Sequence, residues 1–154
     1  MLQAYAAAET IETLARSLEN SITPSSRILF TYLIHSGYKR SYETGVIAGR
    51  RLQEMRRLER PFEDAFKCYK CWSEIHSPEL FRRRWQRIQR LFFSTSSPSK
   101  HHVIFSHGNL LSGIMNVLAA NASCDRWRAS NTVPHCSVAV LSYTSGNALP
   151  EVVI

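Results

Sequence analysis

Two polar segments carry side chains that could bind an anion. Ser106-His107-Gly108 follows an apolar stretch at 102–105, and Arg40 follows another at 27–34. The forked guanidinium of arginine pairs well with phosphate oxygens. A histidine between a strand and a helix lies beside unpaired backbone N–H groups and the positive end of the helix dipole. These residue types predict phosphate binding, although either one alone is more often structural.

The elements that would position these side chains are predicted from hydrophobic periodicity. Apolar spacing predicts four helices, with Ser41 capping the second, at 4–18, 41–58, 78–93 and 109–120. Short apolar or alternating stretches predict four strands, at 27–34, 102–105, 137–143 and 151–154. Residues 60–76 are predicted to be irregular. This order favours an α/β sandwich around a mainly parallel sheet, in which ligands bind beyond the carboxyl ends of the strands.

Three segments match a known set of motifs in the same order. Residues 36–44 (SGYKRSYET) resemble SP-x-x-R-A-x-x-T, and residues 103–111 (VIFSHGNLL) resemble V-x-V-S-H-G-G-x-x. Residues 134–143 resemble the strand P-N-x-S-x-x-x-L-x-Y that follows. These motifs belong to the histidine phosphatase (phosphoglycerate mutase-like) superfamily, which the chain resembles over most of its length. The resemblance implies a three-layer sandwich of the phosphoglycerate mutase type.

The resemblance also implies roles for individual residues. The family transfers or hydrolyses phosphoryl groups through a phosphohistidine, in a pocket of two arginines, two histidines and an acidic proton donor. Arg40 matches a phosphate-binding arginine, and His107 matches the second, non-nucleophilic catalytic histidine. Ser36 and Asn109, in the same two segments, are expected to help bind phosphate. Glu63 matches the proton donor, in a segment where Lys67 and Cys71 replace the usual glycines.

The motif that supplies the family's nucleophile is not found in these 154 residues. The sequence contains no Arg-His-Gly, and it starts where the helix after that motif should start. The expectation is therefore one truncated or degenerate domain over 1–154, lacking its first strand, that keeps a vestigial phosphate pocket and serves a larger assembly. The alternative is an active phosphomonoesterase or mutase whose nucleophile lies in a missing segment or a partner chain. His35 is a further candidate for a replacement nucleophile.

The charge distribution leaves a third hypothesis open. The net charge is +7, and residues 39–90 account for all of it, with 14 basic and seven acidic side chains. The arginines fall into two clusters, Arg50–Arg60 and Arg82–Arg90. A field of this sign attracts nucleic acid, phosphates or acidic proteins. The chain could thus be a basic, RNA-associated module, or these could be ordinary solvated helix faces.

Cysteine content and hydropathy bear on compartment and cofactors. Cys68, Cys71, Cys124 and Cys136 are too few for a disulfide scaffold, which predicts a reducing, intracellular location in cytoplasm or mitochondrion. A zinc site at the single C-x-x-C motif would need a second pair, so we expect no metal and no cofactor. No apolar run reaches the length of a membrane span. A protein partner is expected, because a sheet without an interior strand exposes backbone groups.

Overall fold

The computed structural model describes residues 1–22, 26–93, 100–120, 137–143 and 149–152. The chain divides into two compact units. Unit 1 comprises residues 1–69 and 99–105, and unit 2 comprises residues 70–98 and 106–154. The structure contains helices and a small parallel sheet, so the protein is mixed α/β, as expected.

Unit 1 is built on a small parallel sheet. Strands β1 (Tyr32–His35), β2 (Phe66–Cys68) and β3 (His102–Phe105) lie in the order β2-β1-β3. The two ends of β1 and β3 are in register, with His35 opposite Phe105. Leu33 and Ile34 are adjacent in β1 and both buried, so this strand is covered on both faces, as its apolar sequence predicts.

Helix α2 (Lys39–Glu54) packs closely against this sheet. A Cβ atom on Gly49 would come within 2.6 Å of the Phe62 ring and 2.7 Å of Leu33 Cδ1, so a larger residue there would force its neighbours to shift. The prediction that Ser41 caps α2 is wrong, because the helix begins two residues earlier. Ser41 is buried inside the first turn, where its hydroxyl donates to the Phe105 carbonyl (2.5 Å) and accepts from the Ser36 N–H (2.9 Å).

Helix α1 (Leu2–Ile22) is joined to the rest of unit 1 by a buried ion cluster, the Arg57 cluster. The Arg57 side chain is 3% exposed and donates to the carboxylates of Glu12 and Glu19 and to the Ile28 carbonyl. In the sequence, Arg57 belongs to the Arg50–Arg60 cluster, whose cations are predicted to attract anionic partners. That interpretation is wrong for Arg57, because its charge is neutralised by two carboxylates inside the protein.

The segment predicted to be irregular contains two elements of unit 1. Helix α3 (Phe62–Ala65) leads directly into β2, whose residues pair with β1 from Leu33↔Phe66 to His35↔Cys68. The strand has three residues, too few for an alternating pattern to be visible in the sequence. The Phe66 ring packs beside Gly45 of α2, and this tertiary contact holds the short strand in place.

The described part of unit 2 contains two helices and a two-stranded antiparallel sheet. A 3-10 turn (Lys70–Trp72) precedes α4 (Pro78–Phe92), and α5 (Gly108–Ala120) follows β3 in the chain. Ser77 caps α4 by accepting from the Leu80 N–H, and Pro78 begins the helix. Strand β4 (Leu141–Ser142) is shorter than predicted, and it pairs with β5 (Glu151–Val152). Residues 153 and 154 of the last predicted strand lie outside the described residues. The predicted loop at 123–134 and the motif residues 134–136 lie outside the described residues.

Helix α4 confirms the amphipathic pattern in its sequence. Phe81, Trp85 and Ile88 are buried, and the residues between them are mostly arginine. Leu91, also predicted on the apolar side, is 42% exposed because regular helical spacing places it at the flank of the buried stripe.

Candidate functional site

The segment between β1 and α2 in unit 1 forms a tight turn that positions the first predicted motif. Gly37 has a φ of 93°, in the left-handed region that favours glycine. Ser36 is buried, and its hydroxyl accepts from the Tyr38 N–H (3.4 Å). This predicted phosphate ligand therefore already supports the turn from β1 into α2.

Arg40 lies in the first turn of α2, and its side chain is exposed. Tyr38 occupies the cap position, and no side chain in the described part of the chain caps the helix. The first turn contains Lys39 and Arg40 and no acidic residue. The positive end of the helix dipole therefore lies beside the Arg40 guanidinium and the Lys39 ammonium, which faces Glu43 at 3.7 Å. A helix N-terminus with a nearby arginine attracts an anion.

His35 ends β1 within an aromatic group. Its ring lies 4.7 Å from that of Phe66 and 5.3 Å from that of Tyr42. Partial burial lowers the pKa of His35, which favours the neutral imidazole. Nδ1 accepts a hydrogen bond from the Gly37 N–H (3.2 Å), so the proton of the neutral ring is on Nε2. The lone pair that a nucleophile requires is thus already engaged, which argues against His35 as the replacement nucleophile.

Glu63, the predicted proton donor, belongs to α3 in unit 1. Its carboxylate is 68% exposed and lies 3.7 Å from the Arg50 guanidinium, which also stacks over the Phe62 ring at 4.6 Å. Unit 1 therefore contains three of the predicted site residues, Ser36, Arg40 and Glu63. In the described part of unit 1, the charged group beside the Glu63 carboxylate is the Arg50 guanidinium.

His107, in unit 2, immediately precedes α5 and is buried. Its Nδ1 lies 3.6 Å from Oε1 of Glu74, a carboxylate that is one-quarter exposed. A carboxylate beside an imidazole restricts the orientation of the ring. Sequence reasoning missed Glu74, because it lies 33 residues before His107 in an irregular stretch, and no motif marks it.

The side chains on either side of His107 tie α5 to the segment that carries Glu74. Asn109 donates from Nδ2 to the Ile75 carbonyl (2.6 Å) and accepts the Ile75 N–H at Oδ1 (3.4 Å). Ser106 donates from its hydroxyl to the Trp72 carbonyl (2.6 Å). The Asn109 amide, a predicted phosphate ligand, is thus used in holding residues 72–75, and this contact keeps Glu74 near His107.

The C-x-x-C motif gives no metal centre in the described part of the chain. Cys68 is exposed at the end of β2, and Cys71 is buried in the 3-10 turn of unit 2, where burial raises the pKa of its thiol. No group of three or more potential metal ligands occurs among the described residues, which do not include Cys124 and Cys136.

Comparisons with protein-family models, with curated proteins and with solved structures found no match to this chain. None of the helices in residues with a described structure is long and apolar enough to cross a membrane. The relationship to the histidine phosphatase superfamily accordingly stays a prediction from the motifs.

Proposed function

We propose that this protein is a catalytically degenerate, histidine phosphatase-like protein that binds a phosphate group and does not turn it over. One observation carries the proposal: α2 begins directly after β1 without a side-chain cap, and Lys39 and exposed Arg40 stand in its first turn. A phosphate there would accept hydrogen bonds from the Arg40 guanidinium and from backbone N–H groups of the first turn of α2.

Two further features support a binding role over catalysis. The 154 residues contain no Arg-His-Gly nucleophile motif. His35, the histidine nearest to Arg40 in the chain, uses its unprotonated nitrogen in a hydrogen bond to the Gly37 N–H. Covalent phosphoryl transfer needs a histidine nitrogen with a free lone pair in line with phosphorus. The missing motif would have supplied that nitrogen, and the lone pair of His35 is already engaged.

The proposal also covers the fold type and the role in an assembly that the resemblance implies. The paired ends of β1 and β3, His35 and Phe105, immediately precede the two motif segments, which is the chain order that the resemblance requires. We propose further that the chain forms a three-layer sandwich of the phosphoglycerate mutase type. We also propose that it serves as a subunit of an intracellular assembly. The active phosphomonoesterase is its main competitor.

The test is phosphate binding by the Arg40→Gln variant. One charge-assisted contact is worth about 1.5–3 kcal/mol, so we expect the dissociation constant for inorganic phosphate or vanadate to rise by roughly tenfold or more. Titration calorimetry measures the constant, and the release of p-nitrophenol from p-nitrophenyl phosphate measures turnover, which we expect to be undetectable in the wild type.

The matched control is Arg16→Gln, which removes the same charge from a side chain that is 72% exposed on α1. Equal phosphate affinity in the two variants would refute the role of Arg40. Turnover by the wild type that disappears in Arg40→Gln or His107→Ala would establish the enzyme instead.

A further inference from the structure

The amino-terminal edge of the sheet in unit 1 brings three segments of the chain side by side. Phe30 pairs in parallel with Leu58, so the segment that ends at Arg60 runs beside the chain that leads into β1. On the other side of β1, Tyr32 lies opposite His102, the first residue of β3. Arg60, Tyr32 and His102 therefore form a row across this edge of the sheet.

The Tyr32 side chain holds the Arg60 guanidinium in place. The guanidinium carbon lies 4.8 Å from the centroid of the Tyr32 ring, and Nη1 donates to the Tyr32 hydroxyl (3.4 Å). The His102 ring stacks on the Tyr32 ring, with centroids 5.6 Å apart. Burial, and then the charge of Lys100, lower the pKa of His102, so its neutral imidazole does not repel Arg60 at neutral pH. A guanidinium that is already fixed loses less freedom when it binds a ligand.

Two adjacent groups in this row are hydrogen-bond donors without an acceptor among the described residues. Arg60 Nε is buried and has no partner, and the hydrogen bond that the guanidinium does make is to a hydroxyl, not to a carboxylate. The Tyr32 oxygen accepts that bond, so the hydroxyl proton is left to donate, and no described residue accepts it. A partly buried charged donor without an acceptor costs free energy. An oxyanion that binds beside Arg60 and Tyr32 would supply the acceptor.

The charges around Arg60 are mostly positive. Apart from the Arg57 cluster, residues 56–60 and 100–102 carry three cations, Arg56, Arg60 and Lys100, and one carboxylate, Glu59. Arg56, Glu59 and Lys100 are exposed, whereas Arg60 is partly buried. A local surplus of positive charge favours an anion with two negative charges over an anion with one.

We propose that Arg60 and Tyr32 form a binding site for a single phosphate group of a small ligand, here called the Arg60 site. The guanidinium supplies charge and N–H donors, the Tyr32 hydroxyl supplies another donor, and a phosphate has enough oxygen atoms to accept from both. One fixed guanidinium at a sheet edge suits one phosphate group. The site is distinct from the first turn of α2, because that turn follows the opposite, carboxyl end of β1.

The experiment titrates inorganic phosphate into the full chain carrying Arg40→Gln, so that the site at α2 and the Arg60 site can fail independently. Because Arg60 Nε is buried, its proton is protected from exchange with water and should give a resolved signal in a ¹H–¹⁵N spectrum. We expect phosphate to shift this signal saturably, and Arg60→Gln assigns it by its loss. Calorimetry measures the dissociation constant, which we expect to rise about tenfold or more in Arg60→Gln.

Tyr32→Phe separates binding from packing, because it keeps the ring under Arg60 and removes only the hydroxyl. We expect it to weaken phosphate binding about fivefold, the usual effect of one neutral hydrogen bond. If Arg60 and Tyr32 served only to join segment 57–60 to β1, this variant would bind phosphate as tightly as the Arg40→Gln parent. Circular dichroism checks the fold, and Tyr32→Phe decides the question if Arg60→Gln is unstable.

Two matched controls make the result specific. Arg56→Gln removes the same charge from an exposed side chain of the same segment, and we expect a change of about twofold at most. Tyr42→Phe removes the hydroxyl of a tyrosine that is 49% exposed, and should bind as its parent does. Unchanged affinity in Arg60→Gln, an equal loss in Arg56→Gln, or acetate binding as tight as phosphate binding would each overturn the proposal.

Discussion

The Arg57→Leu variant is expected to lose about 3 kcal/mol or more of its free energy of unfolding, because removing one partner of a buried ion pair leaves the other charge uncompensated. Here two carboxylates, Glu12 and Glu19, and the Ile28 carbonyl would lose their donor together. A loss of this size is a large fraction of the stability of a small domain. Urea denaturation followed by circular dichroism measures it.

Arg16→Gln is the control, because Arg16 also contacts Glu12 (2.7 Å) but its side chain is 72% exposed. Because the Arg16 side chain is solvated, its pair with Glu12 should contribute about 1 kcal/mol or less, so this variant should remain close to the wild type. Similar destabilisation by the two substitutions would show that burial of the Arg57 cluster does not matter.

The same cluster predicts a dependence of stability on pH. The hydrogen bond from Arg57 is the largest cause that lowers the pKa of Glu12, from 4.5 to about 2. A lowered pKa means that folding favours the charged carboxylate, so this stabilisation is complete above pH 4.5 and is lost as the pH falls towards about 2. The stability difference between the wild type and Arg57→Leu should therefore narrow over this interval. A difference that stays constant would contradict the assignment.

The Gly49→Val variant is expected to be destabilised by about 2–3 kcal/mol, within the usual range for overpacking a core. The new side chain would meet the Phe62 ring and Leu33 at less than van der Waals distance, so α2 would have to move away from the sheet. Chemical denaturation measures the loss. Gln53→Val, at an exposed position of the same helix, controls for the helix propensity of valine. Equal stability in both variants would show that α2 does not pack as tightly as described.

Elements with strong local patterns were predicted well from the sequence. Strand β3 and helix α4 have the expected bounds to within one residue, because one is a buried apolar run and the other has a serine cap, an N-terminal proline and a regular buried stripe. Strand β2 and the start of α2 were not predicted. Both depend on contacts with distant residues, namely pairing with β1 and the hydrogen bond between Ser41 and the Phe105 carbonyl.

In the candidate site, too, features set by local sequence could be predicted and features set by distant contacts could not. The positions of Arg40 and His107 after strands could be predicted, because loops at the carboxyl ends of parallel strands follow from the order of the elements. The partner of His107 could not be predicted, since Glu74 is brought to it by tertiary contacts that include the hydrogen bonds between Asn109 and Ile75. Sequence charge alone also could not distinguish buried Arg57 from exposed Arg87.

The division of the chain has a consequence for its synthesis on the ribosome. Unit 1 receives its third strand from residues 102–105, after the chain has already contributed residues 70–98 to unit 2. The first 69 residues thus emerge with one edge of β1 lacking its neighbour, and they cannot finish their sheet until some thirty more residues have been translated. Nascent chains are exposed to aggregation at such unpaired edges. A chaperone or a slow stretch of translation would have its greatest effect on this protein during that interval.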